Sequence, residues 1–309
     1  GRAVSRGRSD PGWSDSGWEW ERHWRLVQRW KPLAGAERVG TRFPSVHVKY
    51  VRRNSDLFVG GPPRHEKTVK SISIQEMQGV ITVYSGSDDR TVRVWDLLNG
   101  VLLETLDSHT GSVWALATCR TPQSLVKIFS GSYDWTIRMW TEMSVVGSNA
   151  PTQYEETATL SKHEGGVCAL VISLDGERLF SGSYDGDIQV WDVDTGQTLK
   201  TIHGLYCVAS LCVAPDGIIW SGCWRGNIRV FSPTGDQIFI IEQAHRAYLK
   251  CLTSCPQSQF VFSAPCDELS FGREDAVISP TRGRDPSHAI RVWSLDGDPV
   301  ATLGGYSTG

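Results

Sequence analysis

The sequence lacks the features of membrane and secreted proteins. No apolar run reaches the roughly 18 residues that a membrane-spanning helix needs. The amino terminus has no apolar signal-peptide core, and the chain contains no Asn-x-Ser/Thr glycosylation acceptor. The chain begins with Gly1 and not with Met, so we expect a fragment or a processed product. These absences favour a cytoplasmic location, without excluding the nucleus, and no membrane insertion.

Motifs of common enzyme active sites are also missing. The chain has no GxxxxGK[ST] phosphate loop and no GxSxG nucleophile turn, and the His-Glu pairs at 65–66 and 163–164 lack the second His of HExxH. Eight cysteines are scattered through apolar segments, and the CxxxC spacing of Cys251 and Cys255 is not the usual spacing of a zinc knuckle. We therefore expect reduced, buried thiols, no metal, no cofactor and no catalytic activity.

Charge is distributed unevenly along the chain. Residues 1–64 hold 13 Lys and Arg against 6 Asp and Glu (+7), and the remainder holds 18 against 28 (−10). The net charge of −3 argues against general polyanion binding, so nucleic acid is not expected as a partner. We expect residues 1–40, rich in Trp and Arg, to be a disordered or non-native leader. The alternative is a short basic helix over residues 17–30 that binds a partner or a membrane surface.

A repeated phrase dominates the rest of the sequence. SGSDDRTVRVWD at 85–96 returns as SGSYDWTIRMW at 130–140 and SGSYDGDIQVWD at 181–192, with weaker copies SGCWRGNIRVF at 221–231 and HAIRVWS at 288–294. Each copy alternates polar and apolar residues before its aromatic residue, which is typical of a half-buried β-strand. A recurrence at a spacing of about 40 to 50 residues predicts stacked structural units.

Each unit opens on a His and passes through three predicted strands to an aromatic residue. The pairs are His65 and Trp95, His109 and Trp140, His163 and Trp191, His203 and Phe231, His245 and Trp293. A fourth strand is predicted after each, at 102–106, 157–160, 198–202, 237–241 and 300–303. Insertions at 141–157 and 264–288 interrupt the rhythm. The second is expected to be a mobile surface loop, and a phosphorylation site at Ser279, before Pro280, is the alternative for that segment.

The spacing of His, Asp and Trp resembles the WD repeat over residues 65–303. The resemblance implies an all-β fold, a β-propeller of four-stranded antiparallel blades. Five repeats are readable, and the family implies an intact ring of six or seven blades. We therefore expect residues 41–309 to form a propeller that is incomplete at one end, closed by a continuing chain or by residues 41–64.

The resemblance also implies a buried His–Ser–Asp–Trp network that stiffens each unit. The expected members are His65, Ser85, Asp89 and Trp95; His109, Ser130, Asp134 and Trp140; His163, Ser181, Asp185 and Trp191. A hydrolytic triad or metal site is a weaker alternative, since the triplets recur from unit to unit, which suits a scaffold and not a single active site. The fourth unit has Arg225 in place of Asp and Phe231 in place of Trp, so it is expected to lack the network, with Arg225 exposed. Ser287 takes the Asp position of the fifth unit.

The resemblance places partner binding on one face of the propeller, around its channel. Residues before the hairpin Asp and residues near the start of the first strand point to that face. The expected partner-binding residues are Lys70, Asp88, Trp114, Tyr133, Tyr184, Trp224, Tyr248 and Lys250, with Cys168 and Tyr206 nearby. The alternative is that some of these rings pack between units. A recurring arginine, at 93, 138, 229 and 291, is expected to cover the surface between blades, and a phosphate-binding stripe is the alternative.

These features predict a non-catalytic scaffold or adaptor that binds proteins or peptides. The alternative is a substrate-recognition or regulatory propeller of a larger enzyme, of a ubiquitin-ligase complex or of a signalling complex.

Overall fold

The computed structural model describes residues 64–77, 79–121, 125–143, 153–204, 206–254, 259–265 and 289–303. The chain divides into two units, Gly1–Arg52 and Arg53–Gly309, and all of the described residues lie in the second. The predictions made for residues 1–63, for Ser279 and for Ser287 lie outside the described residues.

Twenty strands form five four-stranded sheets. Sheet 1 contains Val69–Met77 (β1), Val80–Ser87 (β2), Val92–Asp96 (β3) and Val101–Leu106 (β4). Sheet 2 contains Val113–Arg120 (β5), Val126–Ser132 (β6), Ile137–Met143 (β7) and Gln153–Leu160 (β8). Sheet 3 contains Val167–Ile172 (β9), Arg178–Ser183 (β10), Ile188–Asp192 (β11) and Thr198–Ile202 (β12). Sheet 4 contains Val208–Val213 (β13), Ile219–Cys223 (β14), Ile228–Phe231 (β15) and Gln237–Ile241 (β16). Sheet 5 contains Leu249–Ser254 (β17), Phe260–Pro265 (β18), Ile290–Ser294 (β19) and Pro299–Leu303 (β20).

Every sheet is a simple antiparallel meander in which consecutive strands pair. In sheet 3, for example, Ser181 of β10 lies opposite Leu170 of β9 and Gln189 of β11. No helix occurs in the part of the chain that the structure describes. The predicted fold class, an all-β protein of four-stranded blades, is therefore confirmed.

The sheets pack in chain order through apolar clusters between neighbours. The first residue of each later first strand is buried in such a cluster: Val113, Val167, Val208 and Leu249. The glycine of each Ser-Gly-Ser phrase makes this packing possible. A Cβ on Gly182 would lie only 2.4 Å from Cγ1 of Val208 in sheet 4. The repeated glycine is therefore a close-approach position between adjacent sheets.

Among the described residues, no sheet covers the outer side of sheet 1. Val69, Ile72 and Ile74 are 42%, 63% and 53% exposed, although the residue that corresponds to Val69 in the next sheet, Val113, is fully buried. The outer side of sheet 5 is similar, because Cys251 faces away from sheet 4 and is exposed. The prediction that the cysteines are buried is wrong at Cys251. A face of a first strand is therefore buried where a neighbouring sheet packs on that face.

The insertion predicted at 141–157 is shorter than expected. Strand β7 continues to Met143 and β8 begins at Gln153, and these two residues pair across the ladder. Alternating exposed and half-buried residues in Gln153–Leu160 support the longer strand. The prediction failed because charged residues at 155–156 resemble loop sequence when the cross-strand partner is unknown.

Candidate ligand-binding face

A buried hydrogen-bond network holds the second hairpin of sheet 2. The Nδ1–H of His109 donates to the Asp134 carboxylate (2.8 Å), and the Ser130 hydroxyl lies 2.8 Å from Nε2 of the same imidazole. The indole N–H of Trp140 donates to the Ser130 hydroxyl (3.0 Å), and the backbone N–H of Thr110 donates to Asp134 (2.9 Å). Because an ionised carboxylate only accepts hydrogen bonds, Asp134 fixes Nδ1 as the donor atom of the imidazole.

The same four groups are bonded in sheets 1 and 3. The His–Asp, His–Ser and Trp–Ser distances lie between 2.7 and 2.8 Å for His65, Ser85, Asp89 and Trp95 and for His163, Ser181, Asp185 and Trp191. Burial by itself would raise the pKa of the three aspartates, but hydrogen bonds from the histidines and neighbouring groups outweigh it. The pKa of each aspartate is therefore held below its usual range.

Sheets 4 and 5 depart from this pattern. In sheet 4 the Ser221 hydroxyl donates only to the backbone carbonyl of Arg229 (3.2 Å), and Arg225 is exposed. His203 is not equivalent to the buried histidines, since its imidazole is exposed and bonds to Asp187 of sheet 3 (2.9 Å). In sheet 5, the Ser263 hydroxyl forms hydrogen bonds with His245 Nε2 (2.7 Å) and with the Trp293 indole N–H (2.8 Å).

These networks connect the start of each first strand to the tip of the β2–β3-type hairpin in the same sheet. Asp89, for example, also accepts from the backbone N–H of Thr91 (3.1 Å), two residues further along that hairpin. Arg90, which lies between Asp89 and Thr91, has φ of 75°, and Trp135 of the corresponding hairpin in sheet 2 has φ of 72°. The network thus keeps even left-handed, non-glycine residues in place, and it fixes the hairpin tips as rigid elements.

A β-bulge re-aims one residue of every first strand. The ladder skips one residue after Val69, Val113, Val167, Val208 and Leu249. The skipped residues are Lys70, Trp114, Cys168, Ala209 and Lys250. Four of them belong to the residues expected near the start of the first strand. The sequence analysis did not identify Ala209 as the bulge residue of sheet 4. The fourth copy of the repeat is weak, so its alignment with the other copies was uncertain and Tyr206 was named instead. A bulge in each sheet points one side chain out of the regular pleat.

The hairpin residues before the Asp lie beside these bulges. The backbone N–H groups of Tyr133, Tyr184 and Trp224 donate to the carbonyls of residues 112, 166 and 207, at 2.9, 3.0 and 3.2 Å. These carbonyls directly precede the first strands of the respective sheets. Asp88 makes the equivalent bond to Thr68 (2.9 Å). The hairpin tip and the start of the first strand are therefore joined in sheets 1 to 4.

Five aromatic side chains join into a continuous line across sheets 2 to 5, which we call the aromatic row. The ring centroids of Trp114 lie 4.9 Å from Tyr133 and 5.2 Å from Tyr184. Trp224 lies 5.1 Å from Tyr184 and 5.9 Å from Tyr248. Tyr133 and Trp224 are 55% and 38% exposed, and the other three rings are half-buried. The sequence predicted all five residues as binding residues, but it did not predict that their rings are in contact with one another.

Gly166 forms part of the floor of this row. A Cβ at Gly166 would lie 3.1 to 3.3 Å from ring atoms of Trp114, Tyr133 and Tyr184. The three rings therefore rest on a backbone position that has no side chain. The only sequence signal for it is the Gly165-Gly166 pair just before β9.

The charged candidates lie at both ends of the row. In sheet 1, Lys70 forms an ion pair with Asp88 (3.2 Å), so these two charges compensate each other. At the other end, the guanidinium of Arg225 lies 3.8 Å over the ring of Tyr206, and Lys250 is exposed. The stacking of Arg225 on Tyr206 was not predicted, since the two residues are nineteen positions apart.

The recurring arginines contact their own sheets. Arg138 donates to the Glu156 carboxylate (2.6 Å), and Arg229 donates to the Gln237 side chain (3.4 Å). Both partners lie on the fourth strand, next to the arginine's own strand. This bonding ties the third and fourth strands of these sheets together.

Metal-binding clusters and membrane-spanning helices are absent from the described residues. No cluster of three or more His, Cys, Asp or Glu there is arranged to hold a metal ion. The described residues likewise contain no helix long and apolar enough to cross a bilayer. Six described cysteines are free thiols, and burial raises the pKa of Cys119 to about 11.

Comparison with known proteins agrees with this architecture. The family model "WD domain, G-beta repeat" matches residues 60–96, 100–141 and 154–192, which contain the three complete networks. The chain is 29% identical over 254 residues to nuclear distribution protein nudF 1 of Talaromyces marneffei, covering 78% of this chain and 52% of that protein. It is 26% identical over 174 residues to autophagy-related protein 16 of Arabidopsis thaliana, covering 54% and 30% respectively.

A third relative is nuclear distribution protein PAC1 of Arthroderma otae, which is 26% identical over 257 residues. The chain spans about half the length of the nuclear distribution proteins it matches, with 53% of this third relative covered. The matched segments and these relatives confirm the resemblance to the WD repeat at three positions of the chain.

Proposed function

We propose that the chain is a protein-interaction module that binds peptide segments of its partners on the aromatic row. The observation that carries this proposal is the unbroken contact of five rings across four sheets. Aromatic side chains bury large areas while they lose little conformational entropy, which is why they dominate binding hot spots.

The row is held in place before any ligand binds. Backbone hydrogen bonds fix the hairpins that bear Tyr133, Tyr184 and Trp224, and the His–Ser–Asp–Trp networks stiffen the hairpins of sheets 2 and 3. Binding therefore requires little reordering, and most of the contact energy is retained as affinity. A scaffold role also agrees with the WD-repeat match.

The test is affinity purification with mass spectrometry from native cells, with the wild-type chain and the triple variant Y133A/Y184A/W224A. We expect the triple variant to lose its partners, because loss of each hot-spot ring weakens binding by about 2 kcal/mol or more. The matched control truncates three exposed leucines outside the row, L98A/L174A/L199A, which are 66%, 65% and 53% exposed. Partners that survive the triple variant while its thermal unfolding is unchanged would refute the proposal. Co-purification of an enzyme core would favour the alternative role in a larger complex.

A further inference from the structure

The aromatic row ends beside three exposed cationic residues. Arg225, Arg246 and Lys250 are exposed, and they flank the Trp224–Tyr248 contact. In the described part of the chain, none of the three forms an ion pair with a carboxylate. We call these three residues the basic end.

The packing of sheet 5 on the sheet 4 hairpin brings the basic end together. A Cβ on Gly226, the residue after Arg225, would lie 2.0 Å from the carbonyl oxygen of His245 and 2.7 Å from that of Ala247. The backbone on either side of Arg246 therefore lies directly against the hairpin that bears Arg225. Lys250 is the bulge residue of β17, so its side chain is turned out of the ladder.

Two carboxylates of the adjacent sheet 3 hairpin bond histidines and not the basic end. Asp185 of the adjacent hairpin binds His163 (2.7 Å), and Asp187 binds His203 (2.9 Å). At the opposite end of the face, Lys70 is neutralised by Asp88. Within two residues of the five ring-bearing positions, cations occur only beside Trp224 and Tyr248, so the row itself is asymmetric in charge, with its positive end at sheets 4 and 5.

From this asymmetry we infer that the ligand is an extended acidic peptide. Its apolar side chains lie on the rings of Tyr133, Trp114 and Tyr184, and its Asp or Glu side chains lie over the basic end. This inference rests on the proposed function and adds the ligand's chemistry and its orientation. Neighbouring ring centroids lie 4.9 to 5.9 Å apart, so the row is about 20 Å long when followed from ring to ring. An extended peptide spans this length with about six residues. Complementary charge at one end fixes the peptide's direction.

The experiment selects random octapeptides displayed on phage against the immobilised full chain. We expect enrichment of peptides in which Asp or Glu lies within a few residues of aromatic or aliphatic side chains. The charge-reversal variant R225E/R246E/K250E should bind a selected acidic peptide at least about tenfold more weakly and should instead enrich Lys- and Arg-containing peptides. The affinity of the wild-type chain should also fall as salt is raised.

The matched control reverses three exposed cations near sheet 1, R64E/K67E/R90E, and changes the net charge by the same amount. It should retain affinity for the acidic peptide within about twofold. Enrichment of apolar peptides without acidic residues, or equal losses in the two charge variants, would overturn the inference and leave the proposed function standing. If no peptide is enriched over the Y133A/Y184A/W224A chain, the proposed function fails as well.

Discussion

Removal of a single buried hydroxyl group tests whether the His–Ser–Asp–Trp network stabilises the fold more than packing alone. The Ser181 hydroxyl is fully buried and bonds both His163 Nε2 (2.7 Å) and the Trp191 indole N–H (2.8 Å). Ser221 occupies the corresponding position in sheet 4, is 3% exposed, and donates only to the backbone carbonyl of Arg229. The substitutions S181A and S221A remove the same atom from equivalent strands.

The two substitutions should differ in their effect on the free energy of unfolding. S181A leaves an imidazole nitrogen and an indole N–H buried without their partner, so we expect a loss of about 2–4 kcal/mol. S221A loses one hydrogen bond at 3.2 Å and should reduce stability by about 1 kcal/mol or less. The expected difference of about 2 kcal/mol is the contribution of the network hydroxyl.

Urea unfolding of the full chain, followed by tryptophan fluorescence and circular dichroism, measures this difference. The two signals must report the same transition, because only then does the midpoint convert into a free energy. Equal losses in S181A and S221A would refute the reasoning. That result would mean that the network distances reflect packing and not a cooperative set of hydrogen bonds.

Two further predictions concern acid and the floor of the row. Because the pKa values of the network aspartates lie below the usual value of about 3.9, the wild-type chain should lose stability as pH falls below about 4, and D185N should lose less over that range. Parallel pH–stability curves from thermal unfolding would contradict this. G166A should weaken peptide binding with little loss of stability, because the added methyl group would push on three rings of the row. G165A should instead lower the unfolding temperature, because its Cβ would lie 2.8 Å from the backbone nitrogen of Asp185. Equal effects of the two glycine variants on binding and stability would contradict that assignment.

The repeated elements of the fold could be predicted from the sequence because their causes are local. Alternation of polar and apolar residues marks the third strand of each unit, and the Ser-Gly-Ser phrase marks the second strand. The network residues recur at fixed spacing, so three complete sets were identifiable without coordinates. The fourth unit's departure was visible as well, since Arg225 and Phe231 replace the expected Asp and Trp.

Only the tertiary structure decided how these elements meet. Three of the four ring contacts that form the aromatic row join different sheets, and one of these three links Tyr184 to Trp114, seventy residues earlier. The bulge that re-aims Lys250, and the packing of residues 245–247 on Gly226, depend on sheet pairing and not on local pattern. The sequence by itself therefore determined the strands, the networks and the list of candidate side chains. The assembly of the five rings into one row, with exposed cations at one end, was decided by the packing of neighbouring sheets, because those contacts join residues that are distant in the chain.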